Sequence, residues 1–317
     1  MKKLRVAVIG AGAFGRNHSR VIRQLEDVEL TAVIDTDLER AQQIAHNHDT
    51  RAFAGIDEAL GGFDAAIVAT PTITHESIAG RLLDSGIDVL VEKPIAASAA
   101  AGERLARLAE ERGRILQVGH LERFNPAVTV LENALTIPLF FEVHRLSIFT
   151  PRSLDIDVVL DLMIHDLDIV LSFTKEMPHE VRAAGISVLS PRVDIANVRL
   201  AFASGCIANL TASRVSTEKV RKLRLFQPCE YISVDYQRQD AIRLAIKGSD
   251  IGFEQLPVLR GEPLHLELTS FFEAVHNRTP PKVNGLQAAN ALRLAEAILA
   301  KIKEHTDLVS ETIRLRS

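Results

Sequence analysis

Residues 158–173, VVLDLMIHDLDIVLSF, set three carboxylates and an imidazole into a stretch where eleven of sixteen positions are large and apolar. Buried charge is costly unless it is paired or used, so Asp161, His165, Asp166 and Asp168 each require a reason. At about 100° per residue, Asp161, His165, Asp168 and Ser172 share a stripe roughly 60° wide, and Asp166 falls outside it. The stripe must face something polar, with Asp168 extending its hydrogen bonding, and Asp166 must find a partner elsewhere in its domain. A histidine with an aspartate one turn before it suits proton transfer near neutral pH, the carboxylate holding the ring and stabilising its charged form. The same two residues could equally be a buried structural pair. A metal site would need a third ligand, which no spacing supplies, so no metal is expected.

A second set of residues has the form of an anion cradle. Gly10-Ala11-Gly12-Ala13-Phe14-Gly15 follows the apolar run LRVAVI and opens a helical pattern. In that order Gly10 permits the turn, Gly12 lets backbone approach a pyrophosphate, and Gly15 allows helix and strand to pack closely. The anion then rests on the helix N-terminus. Asp35 ends the next apolar run twenty residues after Gly15, where a carboxylate can accept from an adenosine ribose. Gly10, Gly12, Ala13, Phe14, Gly15 and Asp35 are therefore expected to bind a dinucleotide. Asp35-Thr36-Asp37 would repel a 2′-phosphate, which favours NAD over NADP; Arg40, one turn on, argues the other way.

These residues need a frame. Over the first ~120 residues, short apolar runs (4–10, 28–35, 63–70, 88–94, 115–120) alternate with helical patterns. That rhythm predicts an α/β fold whose first part is a doubly wound parallel sheet of the Rossmann type, residues 1–122. Beyond Pro126 the texture changes. A helical stretch, the run FFEVHRLSIF, the helix above and a strand-rich region at 180–247 predict an α+β domain over 123–317 with a large, mostly antiparallel sheet. A C-terminal helix over about 285–304 is expected to pack back on the first domain. The 317 residues, 47% hydrophobic with net charge -4, hold two cores and argue against a coat for nucleic acid or anionic membrane. Two cysteines without metal-ligand spacing fit a reducing compartment. The start MKKLRVAVIGAGAFG is basic, but its apolar run is short and glycine-broken. No run is long enough to span a bilayer. A soluble cytoplasmic protein is expected.

Two further stretches, AIVATPTITHESIA (66–79) and VLVEKPIAAS (90–98), complete a pattern. With the glycine loop and the Asp161–His165 pair, they resemble the Gfo/Idh/MocA family of sugar and cyclitol dehydrogenases over essentially the whole chain. The resemblance implies NAD-dependent oxidation of CH–OH groups, with Thr70, Pro71, His75 and Glu92 added to the cofactor contacts. It implies that Lys93, Asp161 and His165 surround the reacting carbinol. Residue chemistry agrees. Removing hydride from a secondary alcohol also requires a base for its hydroxyl proton, and a lysine can stabilise the developing alkoxide. The chain departs from the family in lacking glycines ahead of Asp161 and in placing Met163 where a small residue is common, which predicts a reshaped pocket.

GHLERFNPA (119–127) resembles the UDP-N-acetylglucosamine 3-dehydrogenase branch and its nucleotide-sugar relatives. Arg123 and Asn125 are expected to reach a sugar hydroxyl or a phosphate. In SRVSTEKVRKLRLF (213–226), strand alternation sets Arg221 apart from Lys222 and Arg224, leaving Lys219 and Arg221 as candidates for a diphosphate. The reading is an NAD-dependent oxidoreductase acting on a pyranose hydroxyl of a UDP-linked amino sugar. Alternatives are an NAD-dependent glycosidase, a free sugar or cyclitol dehydrogenase, and a non-catalytic nucleotide-binding regulator. Apolar residues in ANVRLAF and IANLTA would be exposed on an uncovered sheet face, so a homodimer or homotetramer is expected.

Overall fold

A computed structural model describes residues 3–150, 156–248 and 250–316. The chain separates into two compact units, Met1–Leu121 with Glu262–Ala289, and Glu122–Gly261 with Asn290–Ser317.

The first unit holds β1 (Leu4–Ile9), β2 (Val28–Ile34), β3 (Arg51–Phe53), β4 (Ala65–Val68), β5 (Asp88–Glu92) and β6 (Leu116–Gly119). Their order is β3-β2-β1-β4-β5-β6 and every neighbouring pair is parallel. This is the doubly wound sheet expected from the apolar runs. The order reverses between β1 and β4, and ligands of such sheets bind beyond the strand ends at that switch. The glycine loop follows β1 and Thr70-Pro71 follows β4. Strand β3 has three residues and no readable pattern. Helix Pro263–Asn277, assigned to the second domain from sequence, belongs to this unit. Leu268, Phe271, Phe272 and Val275 share a core with Val6, Val21 and Leu30.

The second unit holds β7 (Phe140–Ile148), β8 (Glu180–Ile186), β9 (Ile195–Ala201), β10 (Ile207–Ser216), β11 (Val220–Gln227), β12 (Glu230–Asp235), β13 (Asp240–Lys247) and β14 (Asp250–Gln255). They form one sheet ordered β14-β13-β12-β11-β7-β10-β9-β8. All pairs are antiparallel except β7 with β10. Inward residues such as Phe141, Val143, Val198, Leu210 and Leu225 pack against Val159, Met163, Leu167 and Val170. Leu294, Ala295, Ile298 and Ile302 join the same core. They lie on helix Gly285–Arg316, which is longer than the sequence suggested. From Asn290 on it counts with the second unit.

Two expectations fail here, the first because strand alternation turns the suspected residues inward. Ala196, Val198, Leu200, Ala208 and Leu210, expected on an open face, are at most 1% exposed in the core. Met163 is also fully buried there, so it does not wall a pocket. Among the described residues, no helix is long and apolar enough to cross a membrane, and no cluster of ligating side chains could hold a metal.

Candidate active site

In the first unit the glycine loop has the geometry its residues predict. Gly10 has φ +102°, and a Cβ there would lie 2.4 Å from the Ala69 carbonyl oxygen; at Gly15 it would lie 1.8 Å from that of Gly10. Both are glycines because the chain packs on itself. Gly12 differs. Its φ is an ordinary -74° and a Cβ would meet no atom within 4 Å. Helix Ala13–Ile22 begins directly after it, with no side chain capping its first turn. Gly12, Ala13 and Phe14 are exposed, Phe14 by 61%. Open space above uncapped helix N–H groups is a cradle for a phosphate. The residues present fit a dinucleotide.

Asp35 is more occupied than the sequence suggested. It accepts from the backbone N–H of Ala11 (2.6 Å) and of Asp37 (2.9 Å), so it anchors the glycine loop. Each carboxylate oxygen keeps a further lone pair for a ribose hydroxyl. Arg40, the feature that argued for NADP, is paired with Asp37 at 2.8 Å.

Lys93, at the end of β5, is half-buried, as are Thr70 and Glu92. Pro71 is exposed. His75, expected to touch the cofactor, is 1% exposed, with Nε2 2.9 Å from the Thr70 carbonyl and Nδ1 2.9 Å from that of Pro94. It ties the Thr70-Pro71 segment to the Lys93-Pro94 segment from behind. Glu92 likewise faces inward. One oxygen lies 2.7 Å from buried His18 Nε2, and the other accepts from the Lys93 N–H at 3.3 Å. Burial opposes the Glu92 charge, but His18, and then Lys93, outweigh it and hold the carboxyl below its ordinary range. Glu267, on helix Pro263–Asn277, is 1% exposed. Burial, reinforced by Glu92, pushes its carboxyl well above the ordinary value. His18 and Glu267 carry no local motif, and sequence reasoning missed both.

In the second unit the stretch at 158–173 is two pieces: a π-turn, Val159–Met163, and α-helix Ile164–Thr174. Asp161 and His165 stand on either side of the junction, both half-buried. Asp168 does not join them. It is 2% exposed and its carboxylate lies 3.5 Å from Arg123. The π-turn winds more slowly than an α-helix, so a wheel at 100° per residue misplaces Asp161 relative to the helix that follows. Asp166 does find its partner: Arg145 of β7 binds both its oxygens at 2.7 Å. Arg145 also donates to Glu122 at 2.8 Å, and its guanidinium carbon lies 5.3 Å from the Tyr236 ring centre. Burial opposes the Arg145 charge, yet Asp166 and Glu122 hold it well above its ordinary range.

Of the expected substrate contacts, Arg123 and Asn125 are turned inward. Arg123 is 7% exposed between Asp168 and Glu132, each at 3.5 Å. Asn125 caps helix Pro126–Ala134 through the Ala127 N–H and donates to Glu122 and to the Tyr236 carbonyl. Both serve the unit's interior instead of a ligand. Arg221 is more open. It sits directly across from Arg145 on the helix-covered face, with its side chain 31% exposed and 3.4 Å from Glu122. Burial and Arg145 lower its pKa, partly offset by Glu122, Asp166 and Asp161. Lys219, just ahead of β11, is exposed.

The family model described as the oxidoreductase family with NAD-binding Rossmann fold matches residues 4–120, and that of the GFO/IDH/MocA C-terminal domain matches residues 141–227. The chain belongs to the Gfo/Idh/MocA family. It is 34% identical over 303 residues to the UDP-N-acetylglucosamine 3-dehydrogenase of Acidithiobacillus ferrooxidans, covering 93% of this chain and 96% of that one. A solved structure of that enzyme superposes with TM-score 0.91 at 33% identity, covering 96% and 99% of the two chains. The inositol 2-dehydrogenase of Rhizobium meliloti is 25% identical over 95% of this chain and 97% of its own. As a Gfo/Idh/MocA member the protein is an NAD-binding oxidoreductase, a dehydrogenase acting on CH–OH groups.

Proposed function

We propose that this protein oxidises the 3-hydroxyl of a UDP-linked amino sugar, with NAD in preference to NADP. Similarity to a UDP-N-acetylglucosamine 3-dehydrogenase through nearly the full length of both chains carries the reading. Inositol 2-dehydrogenases of similar identity match over about half the chain, for example 55%. When bound, the nicotinamide supplies the acceptor for the hydride that leaves the carbinol carbon. The protein's part is the proton and the charge. His165 takes the hydroxyl proton, Lys93 stabilises the oxygen as it becomes anionic, and Asp161 holds the imidazole as it gains charge. Arg221, whose fork is only partly engaged by Glu122, and exposed Lys219 offer donors to the diphosphate. Preference for NAD rests on Asp35 and on the pairing of Arg40 with Asp37.

A panel of UDP-sugars and free cyclitols, assayed for NADH formation, tests this. UDP-N-acetylglucosamine is expected to give the highest kcat/KM. A free cyclitol as the best substrate would overturn the nucleotide-sugar assignment. Product release without any NADH would instead identify a glycosidase that regenerates its cofactor.

A further inference from the structure

Asp166 follows His165 in the chain, and its environment is unusual. It is 2% exposed, and both carboxylate oxygens are held by Arg145, through Nε and Nη2 at 2.7 Å. The remaining Arg145 nitrogen donates to Glu122 at 2.8 Å. Arg145 is itself 1% exposed and stands among the largest fully buried side chains described. All three of its nitrogens are therefore committed, two of them to the neighbour of His165. A bidentate arginine–carboxylate pair fixes orientation as well as distance.

The location gives that constraint a purpose. Helix Ile164–Thr174 starts from a π-turn and has no side-chain cap at Met163. A π-turn is a rare geometry that needs support from its surroundings. On the helix, consecutive side chains leave about 100° apart, so pinning Asp166 into the interior sets the direction in which His165 points. Stability alone explains the arrangement poorly. Buried ion pairs are often matched or bettered by apolar residues of similar volume.

We propose that Arg145, with Glu122 and Asp166, is a positioning device that aims His165. The proposal rests on His165 being the proton acceptor. His165→Ala therefore serves as the control, because parent-like turnover in it would sink that reading first. The test uses two variants of the full-length protein. Arg145→Met with Asp166→Leu and Glu122→Gln removes the pair together with the buried charge that Arg145 also serves. Arg145→Lys keeps the charge but loses the planar fork. Each is expected to lower kcat by about 10- to 100-fold, the scale for misaligning a reacting group. KM for the sugar and NAD affinity by fluorescence titration should stay near the parent's, and the limb of the pH profile in the histidine range should remain. A merely structural role would not separate kcat from KM in this way. Parent-like kcat in either folded variant, with His165→Ala impaired, overturns the proposal. Failure of both variants to fold also overturns it, by showing that the network serves stability.

Discussion

A carboxyl sealed in an apolar interior keeps its proton, and Glu267 sits 1% exposed with Glu92 raising its pKa further. Above roughly 4.3, the value in an unfolded chain, the folded state holds a proton that the unfolded state has lost. Unfolding then releases a proton, and stability falls as pH rises from there toward the folded-state value. Glu267→Gln removes that dependence while keeping the shape. It is expected to melt higher at neutral pH, by roughly 2–4 °C for each kcal/mol relieved, with the difference closing in acid. Identical melting curves across that range would show that Glu267 is ionised in the fold. For the reacting residues, Lys93→Ala and His165→Ala are expected to lower kcat by about 10²–10⁴-fold with NAD affinity nearly unchanged. Asp161→Asn should cost less than His165→Ala, because the base survives. A pH profile of kcat/KM that keeps its limb near histidine's range in His165→Ala would assign the base elsewhere.

At the scale of elements, the glycine loop separates packing from binding. Gly12→Ala places a methyl where the protein has no atom within 4 Å, so Tm should hold while NAD affinity falls by about tenfold or more. Gly15→Ala drives a methyl into the Gly10 carbonyl and should destabilise the unit itself. Equal behaviour of the two would show that the loop is only a turn. Asp35→Ala should weaken NAD and narrow its advantage over NADP, and because Asp35 also holds the Ala11 N–H, the ratio is the quantity to measure. Parallel strands and the glycine loop were legible because their signals are local: continuous apolar runs, and glycines at fixed spacing. The active helix was only partly so. Asp161 and His165 stand out by type, but no residue pattern announces a π-turn, and none names Arg123 as the neighbour of Asp168. Strand β14 was missed because Gly252 and its polar alternation weaken the run. The Arg145 network joins residues 122, 145 and 166, which share no spacing. The available signal was an arginine at an inward position of FFEVHRLSIF, after Phe141 and Val143, where a buried charge demands a partner.

At the scale of the molecule, the second unit's sheet has one face in the core and one without a cover in the chain described. Residues paired directly across neighbouring strands share a face. The register runs Phe140 to Phe226, Phe226 to Tyr231, Tyr231 to Leu244, and Leu244 to Phe253. This apolar row crosses five strands, about 19 Å at 4.8 Å per step. The rings of Phe226 and Tyr231 are 5.0 Å apart. Phe253, at the end of the row, is 67% exposed, and beside it Ile246 and Ile251 are 59% and 78% exposed. A continuous apolar strip of this kind on a protein without a partner is a liability in water. A second copy of the same face would bury it, aromatic against aromatic, in an isologous dimer. The partnership expected from sequence thus has support from strands β7 and β11–β14, not from the two segments first suspected. Light scattering at micromolar concentration should give twice the chain mass or a multiple of it. Phe253→Glu, which puts a charge into the strip without touching the core, should shift that equilibrium toward single chains. A parent protein that already scatters as one chain would leave the strip without its partner and count decisively against the dimer.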